Sequence, residues 1–320
     1  MLRISGDTMG TTYNITAVDV PDQMTEDVLT EDIEAVLAAV NAKMSNWDKE
    51  SEVSRFSASA DTSPFKLSDD FVTVMIAADE VHAKSGGKFD VTLGPLIELW
   101  GFGPRKPEDP IPSDDEIERA LGYVGQQEVL KLNTVASTIS KSASEVGINL
   151  SAIAKGFGID AVAEELKELG VENYMVEIGG DLVVSGRNDK GEFWRIGIEK
   201  PEPDESAVEQ VIKLENKGLA TSGDYRNFVE FEGVRYSHII DPVTGRPITH
   251  WTTSATVVAD NAMMADAWAT AMLVIGSEKG LEIAEANQIA VFFISRVGQE
   301  GSDPYITAVS SAYQALLDER

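Results

Sequence analysis

The chain has 320 residues, 43% of them apolar and 25% charged, which is the composition of a folded protein with ample surface to bury. Its 26 basic residues against 54 acidic ones leave a formal net charge of −28, a field that repels nucleic acid and anionic lipid, so any anionic ligand needs a local device: a metal ion, a helix N-terminus or a few placed cations. There is no cysteine and only His82, His238 and His250, which excludes disulfides, thiolate chemistry and a histidine cluster and leaves metal chemistry to oxygen ligands suited to magnesium, calcium or manganese.

"DTMGTTYNITAV" alternates like a strand, and 22–46 reads as an amphipathic helix through Val28, Ile33, Val36, Leu37, Val40 and Met44. "SDDFVTVMIAADEVHAKSGG" is a second helix, with Ser68 as N-cap and Gly86-Gly87 as its stop. After the Gly- and aromatic-rich "FDVTLGPLIELWGFGP", residues 102–115 (Pro104, Pro107, Pro110, Pro112) read as a loop. Ser113 and Glu116 form a capping-box pattern that starts a short helix, and strand-like pieces fill 128–150. "INLSAIAKGFGIDAVAEELKELG" (148–170) opens a helix with the apolar face Phe157, Ala161, Val162, Leu166 and Leu169, stopped by Gly170.

"NYMVEIGGDLVVSG" gives two strands hinged at Gly179-Gly180. A run of antiparallel strands follows through "YRNFVEFEGVRYSHII" (225–240), the last split at Glu232-Gly233; "TSATVVAD" is another strand. "NAMMADAWATAMLVIG" and "EKGLEIAEAN" are helices, and "IAVFFIS" is a final buried strand. Strands and helices come in blocks rather than in strict alternation, which predicts an α+β fold with mixed, largely antiparallel sheets and packed helices. No internal repeat or linker breaks the chain, and no apolar run approaches membrane-spanning length.

Three constellations carry possible chemistry. Asp266 and Thr270, four apart on an otherwise apolar helix, share one face. Either they hold a hard cation, or Asp266 caps another segment and Thr270 bonds back to its own helix; an unpaired buried charge is too costly to stand alone. "SAIAKG" at 151–156 offers carbonyl oxygens, free amides and Lys155, which fits one side of a phosphate–metal unit; its glycines fit close packing equally well. In "YSHIIDPVTGRP" a strand ends at His238, three residues before Asp241 in a strong turn signal, so the imidazole is either a base or ligand-orienting group at the sheet rim or a satisfied structural histidine. Arg226, Arg235 and Arg246 flank it as candidate anion partners.

Together these motifs resemble the ApbE-type flavin transferases, the FAD:protein FMN transferases. The resemblance runs in order through "MGTTYNI" (9–15), "MSNWDKESEVSRF" (44–56), "GGKFDVTLGPLIELWGFGP" (86–104), "INLSAIAKGFGID" (148–160), "ENYMVEIGGDLVVSG" (172–186), "GLATSGDYRNF" (218–228), "SHIIDPVTGRPI" (237–248) and "ADAWATAM" (265–272). It implies a single unit over 1–320, built of two interleaved α/β subdomains with the active site between them. It also implies a magnesium-dependent enzyme that splits FAD at the pyrophosphate, joins FMN to a threonine hydroxyl of a partner protein and releases AMP. The alternatives are a magnesium-dependent FAD pyrophosphatase giving FMN and AMP, and a non-catalytic flavin-binding protein.

Carried over onto this chain, the resemblance puts the metal on the Ala152 carbonyl, Asp266 and Thr270, with Ala269 standing where some relatives have a further carboxylate. The flavin nucleotide would touch Met9, Trp47, Lys88, Phe89, Asp90, Asn149, Lys155, Ile239 and Ile240; Asn149 stands where relatives commonly have Asp. His238 matches the family's functionally important histidine and, with Asp266, is expected to be catalytic. The implied acceptors carry a Ser/Gly-Ala-Thr motif and include subunits of sodium-pumping NADH:quinone reductases and related electron-transfer complexes, with no nucleic-acid partner. The implied location is periplasmic, lipid-anchored to the inner membrane in the native full-length form, with the signal segment absent from this chain. "TTSAT" at 252–256 echoes the acceptor motif but lacks its upstream acid, since His250 lies six residues before Thr256, and it reads as an ordinary strand.

Overall fold

The computed structural model describes residues 1–101, 111–201, 207–224, 228–231, 234–297 and 305–318. The N-terminal part runs β1 (Leu2–Thr8), β2 (Thr11–Val18), α1 (Glu26–Met44), α2 (Glu52–Ala58), β3 (Phe65–Lys66), α3 (Asp69–Lys84) and α4 (Gly94–Leu99). It continues with α5 (Asp114–Leu121), α6 (Gln126–Val129), β4 (Leu130–Asn133), β5 (Thr138–Lys141) and α7 (Ala154–Glu168). The middle carries β6 (Asn173–Ile178), β7 (Asp181–Ser185), β8 (Trp194–Glu199), β9 (Val208–Leu214), β10 (Lys217–Gly223), β11 (Phe228–Phe231) and β12 (Val234–Ser237). The C-terminal part holds β13 (Ile240–Asp241), β14 (Arg246–Pro247), β15 (Thr252–Ala259), α8 (Ala262–Ile275), α9 (Ser277–Asn287), β16 (Ala290–Arg296), β17 (Tyr305–Val309) and α10 (Ser311–Asp318).

The spine is an eight-stranded sheet in the order β1-β2-β6-β7-β10-β15-β16-β17, antiparallel at every step. Both faces of its middle are covered. Ala220, Val257 and Phe293 point into a core shared with α3 and α8, while their neighbours Leu219, Val258 and Phe292 point into a second core with β8, β9 and Tyr313 of α10. Alternating side chains on one strand therefore feed two cores, and β15 is buried along almost its whole length, its polar Thr252, Thr253, Ser254 and Thr256 included. The predicted α+β class with largely antiparallel sheets is what the chain adopts.

Several expectations shift by a turn or a face. The strand read through "DTMGTTYNITAV" is two strands, because Met9 and Gly10 take positive φ (50° and 75°) and close a tight two-residue hairpin between β1 and β2. On α1 the inward residue of the first turn is Leu29, fully buried, while Val28 is 48% exposed. Of the strands expected over 128–150 only β4 and β5 form; residues 142–150 are irregular and serve the site instead. The hairpin at Gly179-Gly180 and the caps at Ser68 and Ser113 form where the sequence places them, with Phe71 N–H donating to Ser68 Oγ and Ser113 N–H to Glu116 Oε2. Most of the proline-rich loop (102–110), Arg226 and the Glu232-Gly233 turn lie outside the described residues. Among those described, no helix is long and apolar enough to cross a membrane.

Candidate active site

A cleft of about 1270 Å³ opens above the α7–α8 contact, larger than the pocket of an ordinary small ligand. Its floor is set by the close approach of these two helices. A Cβ on Gly156 would lie 2.4 Å from the Ala262 carbonyl oxygen, so only glycine lets the first turn of α7 meet the start of α8. At that crossing Gly156 N–H donates to Asp266 Oδ2 at 2.9 Å, and the Asp160 carboxylate accepts the Ala262 and Met263 amides at 2.8 Å each, capping α8 from the neighbouring helix. One turn beyond Asp266, Thr270 Oγ1 lies 3.1 Å from Ser222 Oγ of β10. The structural alternative holds for Gly156, which serves packing, and for Asp266, which accepts an amide of another segment; Thr270 bonds Ser222 rather than its own helix, and both Asp266 and Thr270 also line the cleft.

Lys155 extends into the same cleft and pairs with Asp181, the buried first residue of β7. Asp181 Oδ1 also accepts the Thr221 amide at 3.0 Å, so the lysine is anchored to two strands of the central sheet. Burial pulls the Lys155 pKa down, against the opposing carboxylates of Asp266 and Glu177. Burial pushes the Asp266 carboxyl up, against Lys155 and the Gly156 amide. Each group's charge is supported by the other, and that of Lys155 also by Asp181 and Glu177, so an added cation beside Asp266 and an added phosphate beside Lys155 are mutually stabilising.

The walls come from three further segments. On one side Lys88 Nζ donates to both Asp241 oxygens, at 2.9 and 2.7 Å, linking the 85–92 stretch to the β13–β14 hairpin. That hairpin is also fixed by Trp100 Nε1–H donating to the Gly245 carbonyl at 2.7 Å and by Ile240, buried among Leu96, Trp100 and Ile117. It carries Ile239 and Ile240 to the cleft, with half-buried His238 just after β12. Opposite, Asn46 Nδ2 donates to the Ile148 carbonyl and Oδ1 accepts the Leu150 amide (2.7 and 2.9 Å), so a side chain replaces the strand partner that 148–150 lacks. Trp47, 91% exposed, stands at this rim with its indole free to lie on a flat ring.

The cleft thus brings together twelve of the thirteen residues expected there: Trp47, Lys88, Phe89, Asp90, Asn149, Ala152, Lys155, His238, Ile239, Ile240, Asp266 and Thr270. Met9 is placed elsewhere, on Gly158 and Val40 between α7 and α1. Asp90 reaches the lining but its carboxylate is committed to scaffold bonds: Thr92 N–H and Oγ–H on one oxygen and Gln126 N–H on the other. Arg246 pairs with Asp114 on the outside at 2.6 Å and leaves the anion role to the lysines. Sequence reasoning missed Asn46, Ser57, Asp181, Thr221 and Ser222. Asn46 lies in the quoted "MSNWDKESEVSRF", and Asp181 follows the Gly179-Gly180 hinge, the one local signal that a carboxylate was being aimed.

A metal ion fits the donors present. Asp266 is 5% exposed, and among the described residues its carboxylate receives a single hydrogen bond, on Oδ2, leaving Oδ1 for a ligand. The Thr270 hydroxyl and the turn at Ala152 add oxygens at the same cleft, an all-oxygen set suited to a hard divalent cation. Ala269 is fully buried in the apolar core and supplies nothing. No group of three or more His, Cys, Asp and Glu side chains able to hold a metal occurs among the described residues.

The sequence profile of the ApbE family matches residues 9–293. The chain belongs to the ApbE family. The FAD:protein FMN transferase of Vibrio cholerae is 42% identical over 318 residues, covering 99% of this chain and 93% of its own. That of Haemophilus influenzae is 43% identical over 324 residues, covering 100% and 92%. The fold matches the solved flavin transferase ApbE from Vibrio cholerae with a TM-score of 0.88 at 42% identity, over 98% of each chain. It matches the apo flavinyl transferase ApbE of Pseudomonas stutzeri equally well, TM-score 0.88 at 37% identity, over 98% of this chain and 96% of that one. The family and the ApbE-like fold expected from the ordered motifs are both borne out.

Proposed function

We propose that this ApbE-family chain transfers FMN from FAD to a threonine hydroxyl of a partner protein. The threonine oxygen forms a phosphoester bond with the FMN phosphorus, the pyrophosphate P–O bond breaks, AMP leaves, and the threonine proton passes to a base. The observation that carries this reading is the meeting of Lys155, Asp266, Thr270 and His238 in one cleft of a chain aligned nearly end to end with FAD:protein FMN transferases.

Magnesium bound by Asp266, Thr270 and the Ala152 carbonyl would neutralise charge on the pyrophosphate as it divides. The protein's own groups do the rest. Lys155, oriented by Asp181, places a positive charge at the start of α7, where the helix dipole also favours an anion. Trp47, exposed at the rim, presents a ring face to the flat parts of the dinucleotide, while Phe89 backs that wall from the core. His238, just before the hairpin held by Lys88–Asp241, takes or relays the threonine proton. The acceptors we infer carry Ser/Gly-Ala-Thr motifs, as in subunits of sodium-pumping NADH:quinone reductases and related electron-transfer complexes, and we place the reaction on the periplasmic face of the membrane. Both inferences are supported by the motif resemblance.

Self-modification is disfavoured by the position of the chain's own look-alike. Thr256 is fully buried in β15 with its Oγ1 2.8 Å from Thr221 Oγ1. The deciding experiment incubates the protein with FAD, magnesium and an acceptor bearing the motif, followed by in-gel flavin fluorescence and nucleotide chromatography. Fluorescence fixed to the acceptor with equal AMP is the expected result. Free FMN and AMP beside a dark acceptor would instead establish a pyrophosphatase, and intact FAD a binding protein.

A further inference from the structure

Lys141, the last residue of β5, is only 4% exposed and is not among the residues that line the cleft. Its Nζ donates to four backbone carbonyls: Phe56 at 3.2 Å, Ser57 at 3.0 Å, Ser144 at 3.0 Å and Val146 at 2.9 Å. An ammonium has three protons, so four acceptors over-subscribe it; the environment is that of a coordinated cation. Two of these oxygens belong to the last turn of α2, where carbonyls gather at the negative end of the helix. The other two come from the irregular stretch after β5. The Phe56 ring lies 5.2 Å from the same nitrogen, and no carboxylate of the described residues comes within ion-pair distance of it. Burial lowers the ammonium's pKa, with Glu145 acting the other way.

The two stretches that Lys141 ties together form one wall of the cleft, through Ser57, Glu145, Gly147, Ile148 and Asn149. The wall has no strand ladder of its own. Ser57 Oγ accepts the Ile148 amide at 3.0 Å, and Asn149 N–H donates to the Val91 carbonyl at 2.7 Å, so a shift of Ser57 or Val146 is passed directly to Ile148 and Asn149. We propose that Lys141 is a built-in cation around which this wall is assembled, a positioning residue that sets the nucleotide-facing surface of the cleft through Ser57 and Ile148. The inference rests on reading the cleft as the FAD site.

A hole ringed by four carbonyl oxygens has the ligand chemistry of a monovalent-cation site, which supplies a test that packing alone would not pass. Lys141→Met keeps the bulk and removes the donors; Lys141→Ala opens the hole. In Lys141→Met, FAD binding by calorimetry and the KM for FAD should weaken about tenfold or more, the scale of a small misplacement of a binding surface, while kcat stays within about twofold. In Lys141→Ala most of the affinity should return in ammonium or potassium chloride and not in tetramethylammonium chloride at equal ionic strength. Wild-type affinity in Lys141→Met overturns the proposal. So does Lys141→Ala that is equally impaired, or equally unfolded, in all three salts, since the lysine would then support the core and not the wall. Absence of FAD binding by the unmodified protein would sink the functional reading instead, so the two failures are distinguishable.

Discussion

The Gly156 amide donates to Asp266 Oδ2 at 2.9 Å, and this one bond ties the first turn of α7 to the middle of α8. It needs the bare backbone at 156, because a Cβ there would sit 2.4 Å from the Ala262 oxygen and 2.7 Å from its carbon, both main-chain atoms that cannot step aside. Gly156→Ala should therefore push the helices apart and cost on the order of 1–3 kcal/mol, as overpacking does. It should also raise the magnesium concentration needed for half-maximal FAD cleavage, because Asp266 and Ala152 lie on opposite sides of the forced contact. Thermal unfolding and a magnesium titration read both effects. Unchanged magnesium dependence would separate the glycine from the metal site.

Asp266→Asn removes the charge but keeps an oxygen for the Gly156 amide. A desolvated carboxylate opposed only by Lys155 stabilises the fold little, so the variant should unfold at or above the wild-type denaturant midpoint. Magnesium-dependent turnover should fall by about 10²-fold or more, the scale of losing one transition-state charge stabiliser. Activity within a fewfold of wild type at saturating magnesium would take Asp266 out of the metal site.

His238 sits just before the hairpin fixed by Lys88–Asp241 and Trp100–Gly245. His238→Gly should slow transfer to the acceptor threonine by about 10²-fold, within the usual range for a general base, with FAD affinity nearly intact. An equal loss of FAD binding, measured by calorimetry, would make it a positioning residue for the nucleotide.

How much of this was legible in the sequence varied with the kind of force involved. The caps at Ser68 and Ser113, the Gly179-Gly180 hinge and the helical faces are local, and local chemistry is written in short words. The β1–β2 turn was missed because Met9 adopts positive φ, unusual for a side chain with a Cβ. Asp266, Thr270 and Lys155 stood out as polar groups in apolar or glycine-rich surroundings. Asp181, Asn46 and Ser57 did not, because each acts on a residue far along the chain: Asp181 on Lys155 and Thr221, Asn46 on 148–150, Ser57 on Ile148. Lys141 likewise looks like one more strand lysine until four carbonyls from two segments are seen around it.

Asp160 gives the protein a pH signature. Burial pushes its carboxyl up to about 6, against the pull of the Ala262 and Met263 amides it accepts. The unfolded chain has an ordinary aspartate near about 3.9, so the folded state binds this proton more tightly. The group's stabilising contribution is full below about pH 4 and is lost as pH rises through about 6, roughly 3 kcal/mol in all. The stability difference between wild type and Asp160→Asn, from urea midpoints at pH 4.5 and 7.5, should shrink in that direction. A difference independent of pH would mean that the end of α8 holds the carboxylate ionised throughout.

Lys155 pairs with the buried Asp181 carboxylate, and removing the lysine leaves that charge behind. Lys155→Met leaves the Asp181 carboxylate with only the Thr221 amide and should cost about 3–5 kcal/mol of stability, while Asp181→Asn leaves the ammonium facing Asp266 and Glu177 and should cost less. The double variant should lose clearly less than the sum, since neither charge then remains to be buried. Activity should not follow that recovery. With Lys155 gone the ammonium at the start of α7 is lost, and both Lys155 variants should stay impaired in FAD cleavage however stable they become. A double-mutant cycle by urea unfolding, run beside FAD turnover, separates the two roles. Additive stability losses would show that the pair does not interact, and recovered turnover in the double variant would show that Lys155 serves the fold rather than the substrate.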